Sequence, residues 1–225
     1  MIDLHRAVRV AAGLGVMLIL GACATTRGEM ALSVPDAGTM ATTGGDKVAV
    51  IESVQDRRQF RVDPRDPSIP SLKEGEQYAL DAEGRKRAIA RKRGGFGKAM
   101  GDILLEGGDT VETLTRELIV QGLGERGYRV LAAGEPAPAD ALRVRADIHE
   151  FWGWFTPGMW VVSMEGKMRV DITATGADGT KTFSIPAYGI NRGQSGREAN
   201  WRLAFDRTFA DYLAKQRAAF ASKAL

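Results

Sequence analysis

Ala141-Leu142-Arg143-Val144-Arg145-Ala146-Asp147-Ile148-His149-Glu150-Phe151-Trp152-Gly153-Trp154-Phe155 alternates between apolar and polar side chains over its first half. A period of two is the signature of a strand, whose successive side chains leave opposite faces of a pleated sheet. Leu142, Val144, Ala146 and Ile148 face one way; Arg143, Arg145, Asp147 and His149 face the other. Thr156-Pro157-Gly158 predicts a tight turn. Met159 to Thr175 then alternates again, with Trp160, Val162, Met164, Met168, Val170 and Ile172 on one face and Glu165, Lys167, Arg169 and Asp171 opposite. The two runs predict a long antiparallel hairpin. Ala177-Asp178-Gly179 turns into a further strand over Thr180 to Tyr188.

Two helices and two shorter strands flank this centre. Asp109 to Arg126 carries Val111, Leu114, Leu118 and Ile119 at helical spacing. Asp109 is the expected N-cap with Glu112 three residues on, and Gly127 the left-handed stop. Glu198 to about Ala221 places Trp201, Phe205, Phe209, Tyr212, Leu213 and Phe220 on one broad face. Lys47 to Val54 reads as a strand with Val48, Val50 and Val54 pointing one way, and Tyr128 to Leu131 as another. Two amphipathic helices can cover one face of such a sheet. The expectation is an α/β two-layer sandwich, with a mixed, mostly antiparallel sheet of about five strands and both helices on one face.

The hairpin end is apolar on both faces. Three of the four tryptophans fall within Phe151 to Trp160. Simple alternation puts Trp152 and Trp154 on the face of Ile148, with Phe151 and Phe155 opposite. One layer of helices cannot bury both faces. Either the closing helix caps one side and a loop folds over the other, or the aromatics are exposed. The expectation carried forward is an exposed tip in which Phe151, Trp152, Trp154, Phe155 and Trp160 meet a partner protein or a membrane interface.

At the N-terminus, Arg6 and Arg9 precede an apolar run of 11 residues, Val10 to Leu20. That run is too short for a membrane span, which takes about 20 residues, and reads as a secretory signal. Leu20-Gly21-Ala22-Cys23 resembles the lipobox of bacterial lipoproteins. The resemblance implies removal of residues 1–22, lipidation of Cys23 and a lipid-anchored mature chain. Ala24, where inner-membrane lipoproteins of Gram-negative bacteria usually carry aspartate, implies the inner leaflet of the outer membrane, facing the periplasm. Residues 23–46, rich in Ala, Thr, Gly and Ser, read as a flexible lipidated tether, with a short strand near Met30 to Val34. Residues 47–225 read as a single α/β domain. The signal segment carries Asp3, Arg6 and Arg9, so the formal charge of +3 becomes +2 on its removal. Near neutrality predicts no general affinity for polyanions, and nucleic acid is not an expected partner. Cys23 is the single cysteine, so its acylation leaves no thiol for a disulfide or a metal.

Residues 56–108 read as a long basic, glycine-rich insertion. Pro64, Pro67 and Pro70 exclude regular helix or central strand there. Seven of the 15 residues from Gly84 to Lys98 are basic: Arg85, Lys86, Arg87, Arg91, Lys92, Arg93 and Lys98. Alongside the reading of a solvated face, they are candidates for contact with an anionic envelope surface. Asp56, Asp63, Asp66, Asp81 and Glu83 are interleaved with arginines and match no calcium loop, so no metal is expected. Gly94-Gly95-Phe96-Gly97-Lys98-Ala99 lacks the first glycine and the hydroxyl of a phosphate loop. No cofactor is expected. No Gly-x-Ser-x-Gly elbow exists, and His149 is the single histidine after removal of the signal.

Asp56-Arg57-Arg58, the glycine-rich Gly94 to Gly101, the helix of Asp109 to Arg126 and Gly127-Tyr128-Arg129-Val130 follow the lipobox in an order that resembles the YajG-type bacterial lipoproteins. More distantly, the layout is similar to the amino-terminal domain of TolB and to curli-secretion lipoproteins. The resemblance implies a non-catalytic envelope lipoprotein with no active-site residues to transfer. The leading expectation is a binding or scaffolding role with another envelope protein. The alternatives are an assembly or secretion subunit that forms a homo-oligomer by strand addition and, last, an envelope hydrolase using His149.

Overall fold

The computed structural model describes residues 27–35, 47–73, 79–93, 99–223 and 225. The signal segment, Cys23, much of the expected tether and Lys98 lie outside the described residues. The elements are β1 (Gly28–Met30), β2 (Lys47–Asp56), α1 (Ala82–Arg87), β3 (Ala88–Arg93), β4 (Ala99–Leu105), α2 (Val111–Glu125), β5 (Tyr128–Val130), β6 (Leu142–Thr156), β7 (Val162–Gly176), β8 (Gly179–Gly193) and α3 (Glu198–Ser222). Among the described residues the sheet has eight strands rather than about five. It is mixed and mostly antiparallel by paired length, because β6–β7 and β7–β8 run in register along nearly their whole extent.

Beyond the short strand expected near Met30 to Val34, the two unexpected strands, β3 and β4, come from stretches without visible alternation. β3 is Ala-Ile-Ala-Arg-Lys-Arg, and its first four residues are all buried. Arg91 hid it: the side chain is 4% exposed, directly opposite the equally buried Asp102 of β4. Residues 56–108 therefore contain one helix and two strands of the sheet, not a loop throughout. β1 lies in the expected tether. It runs parallel to β4, and Met30 and Leu32 enter the main core.

The hairpin organises everything else. One edge of β6 is occupied by β7 from Arg143 to Thr156. The other edge is shared end to end: β2 runs parallel to it from Leu142 to Ile148, and β3 meets it at Gly153. The sheet thus forks along β6, into β2–β5 at one end and β3–β4–β1 at the other. Arg58 fills the fork. Its Nη1 donates to the carbonyls of Ala88 (2.6 Å) and Phe151 (2.8 Å), where no strand continues the ladder.

Two bulges reset the alternation. In β2, Ala49 and Ile51 form the buried set, not Val48 and Val50, and a register shift between Ile51 and Ser53 then returns Val54 to the core side. In β6 it shifts between Ile148 and Glu150, leaving His149 as the extra residue. One inserted residue moves all later side chains to the opposite face. Ile148 and Phe151 consequently join one core, and Trp152 lies in the other, reversing the expected parity.

Helix α2 starts one residue later than expected. Thr110 accepts from Thr113 N at 3.1 Å, and Thr113 Oγ1 accepts from Thr110 N at 2.9 Å. Glu112 instead accepts from Asp56 N (2.9 Å) and pairs with Lys86 (3.1 Å). Gly127 has φ +80° and stops the helix as expected. The aromatic face of α3 is buried as expected, and α2 and α3 share one core with Val144, Ile148, Val170 and Ile185 of the sheet. No described helix is long and apolar enough to cross a membrane.

Candidate functional site

Six strands align in one row: Gly28, Ile103, Ala90, Gly153, Gly166 and Gly189 are successive register partners across β1, β4, β3, β6, β7 and β8. Strand directions then assign each loop to an end of the sheet. β6 runs toward the hairpin turn, and β3 runs parallel to it. β4 is antiparallel to β3, and β1 is parallel to β4, so β1 starts at the turn end. β8 finishes there too, since Gly193 pairs with Val162. One end of the molecule therefore gathers Arg27, Lys92 and Arg93, the turn from Pro157 to Val161, and Arg192 and Arg197 ahead of α3. Side-chain contact agrees: a small cavity of about 90 Å³ is lined by Gly28, Lys92, Ile103, Gly196 and Trp201 together.

The turn is the apolar part of this end. Met159 is 89% exposed and Trp160 86% exposed, with Val161 exposed beside them. Pro157 and Gly158 hold the chain in a turn with no neighbouring strand over it, which leaves these side chains in solvent. The basic part is milder. Arg27 lies 3.6 Å from Asp102, and Arg93 donates to Ser71 Oγ at 3.3 Å. Burial pushes the Asp102 carboxyl above its usual range, against the pull of Lys73 N, Arg91 and Arg27.

The expected aromatic site divides into two buried residues, two half-buried ones and one of surface. Phe151 is buried against Phe205 (5.8 Å, stacked) and Phe209 (5.9 Å) of α3. Trp152 is buried under the loop after β2, edge-on to Phe60 at 5.9 Å, with Nε1 donating to Pro67 O at 3.2 Å. Trp154 is half-buried against Tyr188, and Phe155 is half-buried against the main core. Phe151 and Trp152 are thus corrected from contact residues to packing residues: the helix takes one face and the proline-rich loop the other. Trp160 alone of the five is largely exposed. Burial and the Glu165 carboxylate, which accepts from its hydroxyl at 2.5 Å, push the Tyr188 phenol up to about 12.

Trp152→Ala is expected to destabilise the fold by about 3–5 kcal/mol, the range for emptying a large buried site. Trp160→Ala is expected to shift it by no more than ~0.5 kcal/mol, as at other exposed positions. Chemical denaturation of both variants checks the pair; equal losses would contradict this division.

The basic run is divided in the same way. Arg85, Lys86 and Arg87 belong to α1, away from the turn end. Lys86 bridges Glu83 and Glu112, and Arg87 pairs with Glu29 at 2.7 Å and with Leu105 O. Arg91 is buried, which removes it from any surface contact. Lys92 and Arg93 remain at the turn end. Sequence reasoning missed Arg27, Arg192 and Arg197, because only strand pairing brings them together; it also passed over Met159, next to Trp160 in the turn.

The face of the sheet away from the helices is a lattice of ion pairs. Glu52 holds Arg143 (3.1 Å) and Arg145 (2.7 Å), which lower its carboxyl pKa. Arg57 pairs with Asp147, and Glu150 with Lys167. His149 Nε2 lies 3.1 Å from Asp171 Oδ2. Among the described residues no three His, Cys, Asp or Glu converge as a metal site would require. At the end remote from the turn, an open depression of about 520 Å³ is lined by Lys47, Tyr128, Asp140, Asp178, Lys181 and Leu225.

No family model and no curated protein matches this chain. Among the solved structures that resemble it are two at low identity. One is described as an uncharacterized protein, 11% identical with a TM-score of 0.39, covering 89% of this chain and 99% of its own. The other is the hypothetical protein CT253 from Chlamydia trachomatis, 13% identical with a TM-score of 0.32, covering 79% of this chain and 95% of its own.

Proposed function

We propose that this chain is a non-catalytic, lipid-anchored envelope protein with a binding or scaffolding role at the periplasmic face of the outer membrane. The observation that carries the reading is the position of β1. It places an ordered strand five residues after the lipobox-like Cys23, with Met30 and Leu32 fixed in the core. An acyl chain on Cys23 would hold the domain close to the membrane and in one orientation, as suits a scaffold. Homo-oligomerisation by strand addition is less favoured at β8. There Asp211 accepts from Tyr188 N at 2.9 Å and Arg207 donates to Ile190 O, so side chains of α3 occupy the edge an incoming strand would need.

Cys23→Ser is expected to abolish acylation and leave the protein as uncut precursor or detached from membranes. Cell fractionation with mass spectrometry of the purified protein checks this. A wild-type mature mass without acyl chains would sink the proposal.

A further inference from the structure

We infer that the turn end of the sheet is a second membrane contact, in which Met159 and Trp160 enter the interfacial zone of the bilayer that holds the Cys23 lipid. The inference rests on the lipoprotein reading and adds to it a docking surface and an orientation.

Chain length makes the geometry specific. From Cys23 to Arg27 are four residue steps, which span at most ~14 Å even when fully extended. β1 starts at the turn end and runs away from it, so the chain must enter the domain from that side. From Gly28 to Gly153 are three strand spacings, about 14 Å across the sheet. An anchor so close leaves this end of the domain, and no other, able to reach the bilayer surface. The opposite end, with Lys47 and Leu225, is carried away from it.

The chemistry of the end fits a lipid surface. Trp160 joins an apolar ring to a polar N–H, the combination that favours the headgroup boundary. Met159 and Val161 extend the apolar tip. Arg192 and Arg197 are exposed behind it, and Lys92 lies beside Gly28. The nearby acids are engaged: Glu198 pairs with Arg202 at 2.7 Å, and Glu165 accepts from Thr156 and Tyr188. An apolar tip backed by arginines matches an anionic phospholipid interface, whose negative surface potential attracts basic side chains.

The test uses the purified acylated protein, its acylation confirmed by mass, in vesicles of phosphatidylethanolamine and phosphatidylglycerol. The emission of Trp160 is isolated as the difference between wild type and Trp160→Phe, a variant at an exposed turn whose unfolding midpoint is checked to match. The expected result is a blue-shifted difference emission, quenched by brominated acyl chains and shielded from acrylamide. Arg192→Gln with Arg197→Gln should weaken the bromine quenching in anionic vesicles and leave it unchanged in zwitterionic ones. An acylated protein whose Trp160 stays open to acrylamide and untouched by bromine overturns the inference, leaving the turn to a protein partner, while the anchor stands. A mature protein without acyl chains overturns both.

Discussion

Gly189→Ala is expected to destabilise the protein by about 3 kcal/mol or more, the upper end of what one added methyl costs in a packed interior. Gly153, Gly166 and Gly189 are successive register partners on β6, β7 and β8. Together they form a trench without side chains, and α3 lies in it. A Cβ on Gly189 would stand 2.4 Å from Thr208 N and 2.5 Å from Ala204 O, both backbone atoms of the helix. Backbone cannot swing aside, so the whole helix must lift. At Gly166 the obstacle is Thr208 Oγ1 at 2.6 Å, and at Gly153 the ring of Phe205 at 2.9 Å. Those are side-chain atoms, so smaller losses are expected in the order Gly189, Gly166, Gly153. Denaturant midpoints of the three alanine variants check the order. A mild Gly189→Ala would mean that the helix does not sit this close.

Arg58→Met should cost about 3–5 kcal/mol, the toll of breaking a buried ion pair from one side. All five guanidinium N–H groups are engaged. Nε and Nη2 grip the two oxygens of Asp56 at 2.8 Å each. Nη1 serves Ala88 O and Phe151 O, and the second Nη2 hydrogen reaches Arg85 O at 2.9 Å. Its plane also lies over Phe60, 5.2 Å from the ring centre, and Phe60 in turn covers Trp152. Arg58→Lys should recover little, since an ammonium has three donors and no flat fork. The two variants are compared by denaturant unfolding and by near-ultraviolet dichroism of Trp152. A stable Arg58→Lys would show that charge alone, not the fork, closes the gap.

The hairpin and both long helices were legible because their signals are local. Alternation from Leu142 to Ile148 and the aromatic stripe of α3 need no knowledge of distant residues. The extra residue at His149 was not legible, since a polar residue between Ile148 and Glu150 looks the same whether it bulges or pairs. β3 was hidden by Arg91, a charged residue buried opposite Asp102 across the sheet. The Asp56-Arg57-Arg58 motif was visible, yet its work at the fork depends on Ala88 and Phe151, remote in sequence. The candidate site was half legible: Trp160 stood out by composition, whereas its neighbours at the turn end are assembled by pairing from four separate stretches.

The trench under α3 also dictates an order of events. The helix occupies residues 198–222, the last regular element among the described residues. It fills the space over the three glycines, and Arg202 reaches back across 171 residues to Ala31 O. The first strand thus has no finished seat until the last helix exists. Contacts of such long range form late, because the intervening chain must be ordered first. Every polypeptide leaves the ribosome N-terminus first. Among the described residues of this one the closing element comes last, so the leading segments are held open until the trailing helix arrives.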